Sequence, residues 1–137
     1  MHIEVLPDAE AAASRAAAFI AAQARAAVQA RGVFHLAVSG GHTPWLMLRR
    51  LADEGIPWAK VQLFQVDERV APPGSVDRNL THIQESLLAH APLAPSQVHA
   101  MPVEAADLDA AARDYAARLT TLAGSPPVLD LVHLGLG

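Results

Sequence analysis

The sequence contains no cysteine. That excludes disulfides, thiolate metal sites and a cysteine nucleophile, and makes a cytoplasmic setting the expectation. Aromatic residues make up only 4%, and Phe34, Trp45, Trp58 and Phe64 read as core and core-margin residues rather than as a base-stacking platform. Basic residues are outnumbered: the formal net charge is −4, which argues against non-specific nucleic-acid binding. An anionic ligand would have to be held by local positive charge. Long apolar runs are also missing. Val33–Val38 falls far short of the ~20 residues that span a bilayer, so no membrane partner is expected. No basic segment precedes a leucine-rich core at the N-terminus, so no secretory signal is read.

What remains is the composition of one globular domain. The hydrophobic fraction is 52%, much of it alanine, and the charged fraction is 18%, below the usual ~25%. A chain of 137 residues can bury a real core but is too short for two domains. Seven histidines are present, without His-Glu-x-x-His or other close metal-ligand spacing, so no metal is expected. Neither an internal repeat nor a further low-complexity segment accompanies the alanine-rich stretch.

Along the chain, β and α signals alternate. Ile3–Leu6 is a short strand candidate ended by Pro7. Asp8 can cap a helix running to about Arg31, where Gly32 stops it. Val33–Val38 is a near-continuous apolar run, as expected of a strand buried on both faces. A polar turn, Ser39–Thr43, leads to a helix in which Pro44 suits the first position, followed by Trp45, Leu46, Leu48 and Leu51 at helical spacing. Val61–Val66 is a second buried strand, leading into Asp67-Glu68-Arg69. Ala71–Ser75 is a loop. A helix is expected from near Asn79 to His90, a short strand at Val98–Met101, a helix over Glu104–Leu122 and a third strong strand at Leu129–Leu134. Strands alternating with helices, without tight hairpin signals, predict an α/β fold: a doubly wound, mostly parallel sheet with helices on both faces. Three apolar strands end in polar or glycine-rich turns (Ser39-Gly40-Gly41, Asp67-Glu68-Arg69 and Gly135-Leu136-Gly137). Ligands of open α/β sheets bind beyond the carboxyl ends of the strands, so these turns should share one edge.

In the first turn, Gly40 and Gly41 allow close backbone approach to a ligand, and the helix start offers unpaired N–H groups and partial positive charge. Ser39 and Thr43 add hydroxyls suited to phosphate oxygens; a tight strand-to-helix connection with no ligand is the competing reading. The turn is not a Walker loop, since no Gly-Lys-Ser/Thr follows. Ser39 is not read as a nucleophile, because a Gly-x-Ser-x-Gly elbow would need glycine where Ala37 stands. Asp67 and Glu68 offer a base or a hydroxyl-orienting carboxylate, and Arg69 an anion or carboxylate partner. A solvated loop with a local ion pair is the competing reading. Asp77 or Asn79 can cap the next helix, and Arg78 is a long cation able to reach a phosphate. His35 and His133 read as packed strand histidines, while His42 either contacts a ligand or faces solvent.

Four segments together resemble the 6-phosphogluconolactonase family: Val38-Ser39-Gly40-Gly41-His42-Thr43-Pro44, Val66-Asp67-Glu68-Arg69-Val70-Ala71-Pro72, Asp77-Arg78-Asn79 and Leu131-Val132-His133-Leu134-Gly135-Leu136-Gly137. Their order and spacing match across essentially the whole chain. The related glucosamine-6-phosphate deaminases usually carry Asp-Glu-Tyr at the second segment, so Arg69 favours the lactonase. The commonest third segment in the family is Ser-Asn, where this chain has Arg78-Asn79.

The resemblance implies hydrolysis of 6-phospho-D-glucono-1,5-lactone to 6-phosphogluconate in the pentose phosphate pathway, without cofactor or metal. It implies that Ser39, Gly40, Gly41 and Thr43 cradle the phosphate or nearby oxygens, with Arg78 neutralising it beside Asn79. Asp67 would orient the sugar or a catalytic histidine, and Arg69 would bind substrate or brace the loop. The family's Gly-x-Gly is normally followed by Asp-Gly-His, whose histidine activates water; Gly137 is the last residue here. The expectation is therefore the N-terminal part (1–137, one α/β domain) of a longer lactonase domain, with little activity alone. The alternatives are an amino-sugar-phosphate isomerase or deaminase of the same fold, and a non-catalytic sugar-phosphate-binding fragment. The partner expected in each case is a small phosphosugar; the oligomeric state is not legible.

Overall fold

A computed structural model describes residues 2–135. Four parallel strands form one sheet in the order β3-β2-β1-β4, with helices on both faces as the alternating pattern predicts. Helix α1 (Ala9–Arg31) begins where the Asp8 carboxylate accepts from the Ala11 N–H at 2.7 Å. It ends where Gly32, at φ +79°, turns back to donate to the Val28 carbonyl, the left-handed stop that glycine tolerates best. Ala13, Ala17, Ala21 and Ala24 are buried along one stripe, and α1 packs chiefly on the next helix, His42–Ala52.

Strands β1 (Phe34–Val38) and β2 (Val61–Gln65) pair over five residues, Phe34 with Val61 through Val38 with Gln65. Flanking them, β4 (Leu131–Val132) pairs with Leu36 and Ala37, and β3 (Val98–His99) with Leu63 and Phe64. Period-two alternation sends Phe34, Leu36, Val38, Val61 and Leu63 to one face. There they join α1, Met47, Leu48 and Leu51 of α2 (His42–Ala52), and Ile83 of α3 (Asn79–Ile83) in the main core. Helix α3 continues as a single π turn over Gln84–Leu88. The opposite face carries Ala37, Phe64 and His99, the last two stacked with ring centroids 4.7 Å apart. Helix α4 (Leu108–Ala123) serves this face, and only its Ala111 is buried. Its Tyr115 hydroxyl donates to the Gln65 carbonyl at 2.9 Å and accepts from the Gln65 N–H at 3.0 Å.

Several boundaries differ from the sequence expectation. Ile3–Leu6 forms no strand; Ile3 and Val5 are exposed and Glu4 pairs with Arg15 of α1 at 2.8 Å. That segment lies on a helix rather than on a free sheet edge. Helix α2 starts at His42, which makes Pro44 its third residue, still within the turn whose N–H groups have no helical partner. The third strand is two residues long because the Met101 N–H leaves the ladder to donate to Gln65 Oε1 at 2.8 Å. The fourth is also two residues, although the Asp130 N–H to His35 carbonyl and His133 N–H to Ala37 carbonyl bonds extend its contact at both ends. Helix α4 starts at Leu108, four residues later than read, where Asp107 caps the Ala110 N–H.

Candidate functional site

Two backbone bonds bring three strand ends level. The Val66 N–H donates to the Val38 carbonyl at 2.9 Å, and the His133 N–H donates to the Ala37 carbonyl at 2.9 Å. The turns after β1, β2 and β4 thus leave the sheet side by side. They border a cleft of about 850 Å³ lined by Ser39, Gly40, Gly41, Thr43, Asp67, Arg69 and Asn79, with His42, His133 and alanines of α1. Seven of the eight residues singled out as site residues meet here; Arg78 does not. Leu136 and Gly137 of the third turn lie outside the described residues.

The first turn is shaped by contact. A Cβ on Gly40 would lie 1.8 Å from Asn79 Oδ1 and 2.4 Å from Asn79 Cγ, so only glycine fits. Gly41 has φ +118° and stands immediately before α2 without a side-chain cap. The first N–H groups of this eleven-residue helix therefore face the cleft margin unpaired within the helix, the arrangement that suits an anion. Across the turn, the Ser39 hydroxyl donates to Asp67 Oδ1 at 3.0 Å, joining the ends of β1 and β2. Asn79 Nδ2 donates to the Asp67 carbonyl at 3.0 Å, joining α3 to the same point.

The neighbours Asp67, Glu68 and Arg69 part ways. Asp67 and Arg69 are exposed on the cleft, whereas the Glu68 side chain has no exposed surface. Glu68 Oε1 accepts from the N–H groups of Arg69 (2.8 Å) and Asn79 (2.7 Å), and Oε2 from the Leu80 N–H (2.9 Å) and Gln65 Nε2 (2.8 Å). Helix α3 is thus capped from eleven residues upstream rather than by Asp77 or by the Asn79 side chain. Burial alone would push the Glu68 carboxyl up; these four hydrogen bonds outweigh it and hold the group below its ordinary value.

Arg78 belongs to the same knot. It is 3% exposed, with Nε 3.4 Å from Glu68 Oε2 and Nη1 2.6 Å from Glu104 Oε1. Nη1 also reaches the Ala71 carbonyl at 3.4 Å. The guanidinium that sequence reading directs at a phosphate is here committed to two carboxylates behind the cleft, and Arg69 is the cation on its wall. The local sequence Asp-Arg-Asn cannot reveal Glu104, which is 26 residues away.

Some cleft-lining residues carry little local signal in the sequence. Ala12, Ala13 and Ala16 of α1 form part of the wall, with no signal beyond small size. His133, read as a packed strand histidine, lines the cleft. Alternation carried the signal: Leu131 packs on the main core, so His133 emerges on the same face where that core ends. Beside the turn, the Trp45 ring stacks on His82 at 3.8 Å and meets His42 edge-on at 6.0 Å. Among the described residues, no group of three His, Asp or Glu side chains is placed to hold a metal, and no helix is long and apolar enough to cross a membrane.

A family model described as glucosamine-6-phosphate isomerases/6-phosphogluconolactonase matches residues 7–137. The chain is 37% identical over 131 residues to the GDH/6PGL endoplasmic bifunctional protein of Oryctolagus cuniculus, covering 90% of this chain and 16% of that protein. It is 36% identical over 144 residues to the 6-phosphogluconolactonase of Mycobacterium bovis, covering 98% of this chain and 58% of that one. In structure it is similar to the 6-phosphogluconolactonase of Thermotoga maritima, with a TM-score of 0.86 at 23% identity over 98% of this chain and 59% of that chain. At that identity the likeness concerns the fold. The chain spans less than two thirds of the length of each of these relatives.

Proposed function

We propose, for a chain that belongs to the family of glucosamine-6-phosphate isomerases and 6-phosphogluconolactonases, that its cleft binds and orients 6-phospho-D-glucono-1,5-lactone for hydrolysis to 6-phosphogluconate. In that reaction water adds to the lactone carbonyl, the ring C–O bond breaks, and the ring oxygen leaves as a hydroxyl. The observation that carries the reading is the convergence on one cleft of the helix-opening turn Ser39–Thr43, the carboxylate of Asp67 and the guanidinium of Arg69.

The division of work follows from charge and position. Phosphate is a dianion near neutral pH and suits the α2 N-terminus, with the Gly40 and Gly41 backbone, the Thr43 hydroxyl and Arg69 around it. Asp67, held by Ser39, is an acceptor for sugar hydroxyls. Arg78 works as a positioning residue: it neutralises Glu68, which fixes the backbone of Arg69 and Asn79. The water-activating histidine implied by the family resemblance is not among these residues, so they are assigned binding and orientation. The cysteine-free composition supports a cytoplasmic setting. Arg69 favours a lactone substrate over an amino-sugar phosphate, because the deaminase resemblance calls for tyrosine at that position.

Calorimetric titration tests the reading with the product 6-phosphogluconate and with glucosamine 6-phosphate. The product should bind the tighter of the two. Arg69→Ala should weaken that binding about 10- to 100-fold, the worth of one charge-assisted hydrogen bond. Preferential binding of glucosamine 6-phosphate would transfer the site to the isomerase alternative, and an unchanged affinity in Arg69→Ala would remove that residue from it.

A further inference from the structure

The His133 side chain has no place in the phosphate-binding scheme, yet its surroundings are specific. Its N–H is fixed to the Ala37 carbonyl, so the residue sits at the carboxyl end of β4 with little positional freedom. It lines the same cleft as Ala12, Ala13 and Ala16 of α1, whose side chains are short. Ring atom Nδ1 is buried and has no hydrogen-bond partner. An orphaned buried N–H is rarer and less well tolerated than an orphaned acceptor, so the proton belongs on Nε2 and the lone pair on Nδ1. Burial also holds the imidazole below its ordinary value, which leaves the ring neutral at pH 7.

We propose that His133 is a substrate-orienting residue that donates one neutral hydrogen bond, through Nε2–H, to a sugar oxygen of the bound phosphosugar. This rests on the phosphosugar reading of the cleft and adds to it a second kind of recognition. Arg69 and the α2 start supply positive charge for the phosphate. The phosphate already has these partners together with the Thr43 hydroxyl, and a further neutral donor matches a sugar hydroxyl or ring oxygen. His133 therefore discriminates a sugar phosphate from inorganic phosphate.

Nitrogen-15 spectra of the full chain at pH 7 test the assignment before any residue is changed. The expected His133 signature is an unprotonated Nδ1 and a protonated Nε2. Added 6-phosphogluconate should shift both the His133 ring signals and the Gly40 and Gly41 amides, whereas inorganic phosphate should move the amides alone. A doubly protonated ring, or a proton on Nδ1, overturns the inference. So does a ring that stays unmoved while 6-phosphogluconate shifts the glycine amides, an outcome that leaves the phosphosugar reading intact. Glycine amides indifferent to 6-phosphogluconate would refute that reading itself and the inference with it.

Two variants separate hydrogen bonding from packing. His133→Phe should weaken 6-phosphogluconate binding about tenfold, as expected for one lost neutral hydrogen bond, with phosphate binding unchanged. His133→Gln, which keeps an N–H near the Nε2 position, should bind within about threefold of the unaltered chain on the same reasoning. Equal loss in both variants contradicts the proposal.

Discussion

Replacing Gly40 with alanine tests how tightly the cleft is built. The added Cβ would lie 1.8 Å from Asn79 Oδ1 and 2.4 Å from Cγ, well inside van der Waals contact. Relief requires the Asn79 side chain to move, yet it is buried and donates to the Asp67 carbonyl at 3.0 Å. Overpacking of this kind costs about 1–3 kcal/mol, and the displaced hydrogen bond adds about 1 kcal/mol. A loss of roughly 2–4 kcal/mol lowers Tm by about 6–15 °C in a domain of this size. Thermal and urea unfolding followed by circular dichroism would read both quantities. The sharper measurement is a double-mutant cycle. Asn79→Ala alone should cost about 1–2 kcal/mol through its lost hydrogen bond and packing. In that background Gly40→Ala meets no obstacle and should cost under about 1 kcal/mol. The coupling should therefore be about 1–3 kcal/mol in the direction of relief. Additive effects would show that Asn79 is not what excludes a side chain at position 40.

The Glu68 knot yields two more expectations. Because its folded-state value lies below the unfolded one, its contribution is fully present above pH ~4.5 and is lost as pH falls through the folded value. Urea midpoints between pH 7 and pH 3 should fall more steeply for the unaltered chain than for Glu68→Gln; equal slopes would refute this role. Arg78→Leu strips a buried carboxylate of its guanidinium and should cost about 3 kcal/mol, the lower end for a broken buried pair given the four hydrogen bonds that remain. Glu104→Gln, at the half-exposed end, should cost under about 1 kcal/mol. Similar losses in both would contradict the asymmetry between the two ends.

The two central strands were legible because burial on both faces leaves a continuous apolar signature, as in Val33–Val38 and Val61–Val66. The glycine turn was legible for a related reason: a strand, two glycines and a helix start leave few conformations open. Ile3–Leu6 misled because three apolar residues around Glu4 do not reveal whether a sheet edge is free to receive them. The polar residues were harder. Asp67 and Glu68 are adjacent carboxylates with opposite fates, one on the cleft and one sealed behind it. Nothing in the tripeptide distinguishes them, since Arg78, Asn79 and Leu80, which meet Glu68, lie at the start of the next helix. Arg78 was read by its reach and charge, and Glu104 turned that reach inward. His133 lay within sight of strand alternation, which marks the face a residue occupies but not the point along the strand where core gives way to cavity.

The Glu68 carboxylate holds the Arg69 N–H at one end and the Asn79 and Leu80 N–H groups at the other. The segment between them, with Pro72, Pro73 and Gly74 exposed, is consequently a loop whose two ends are already stapled together. Lengthening such a loop adds only the slow logarithmic closure entropy, about 0.6 kcal/mol for each doubling, while the stem stays where the carboxylate puts it. The chain thus carries, beside Arg69, a place where new sequence can be grafted within reach of the cleft without disturbing the residues that shape it.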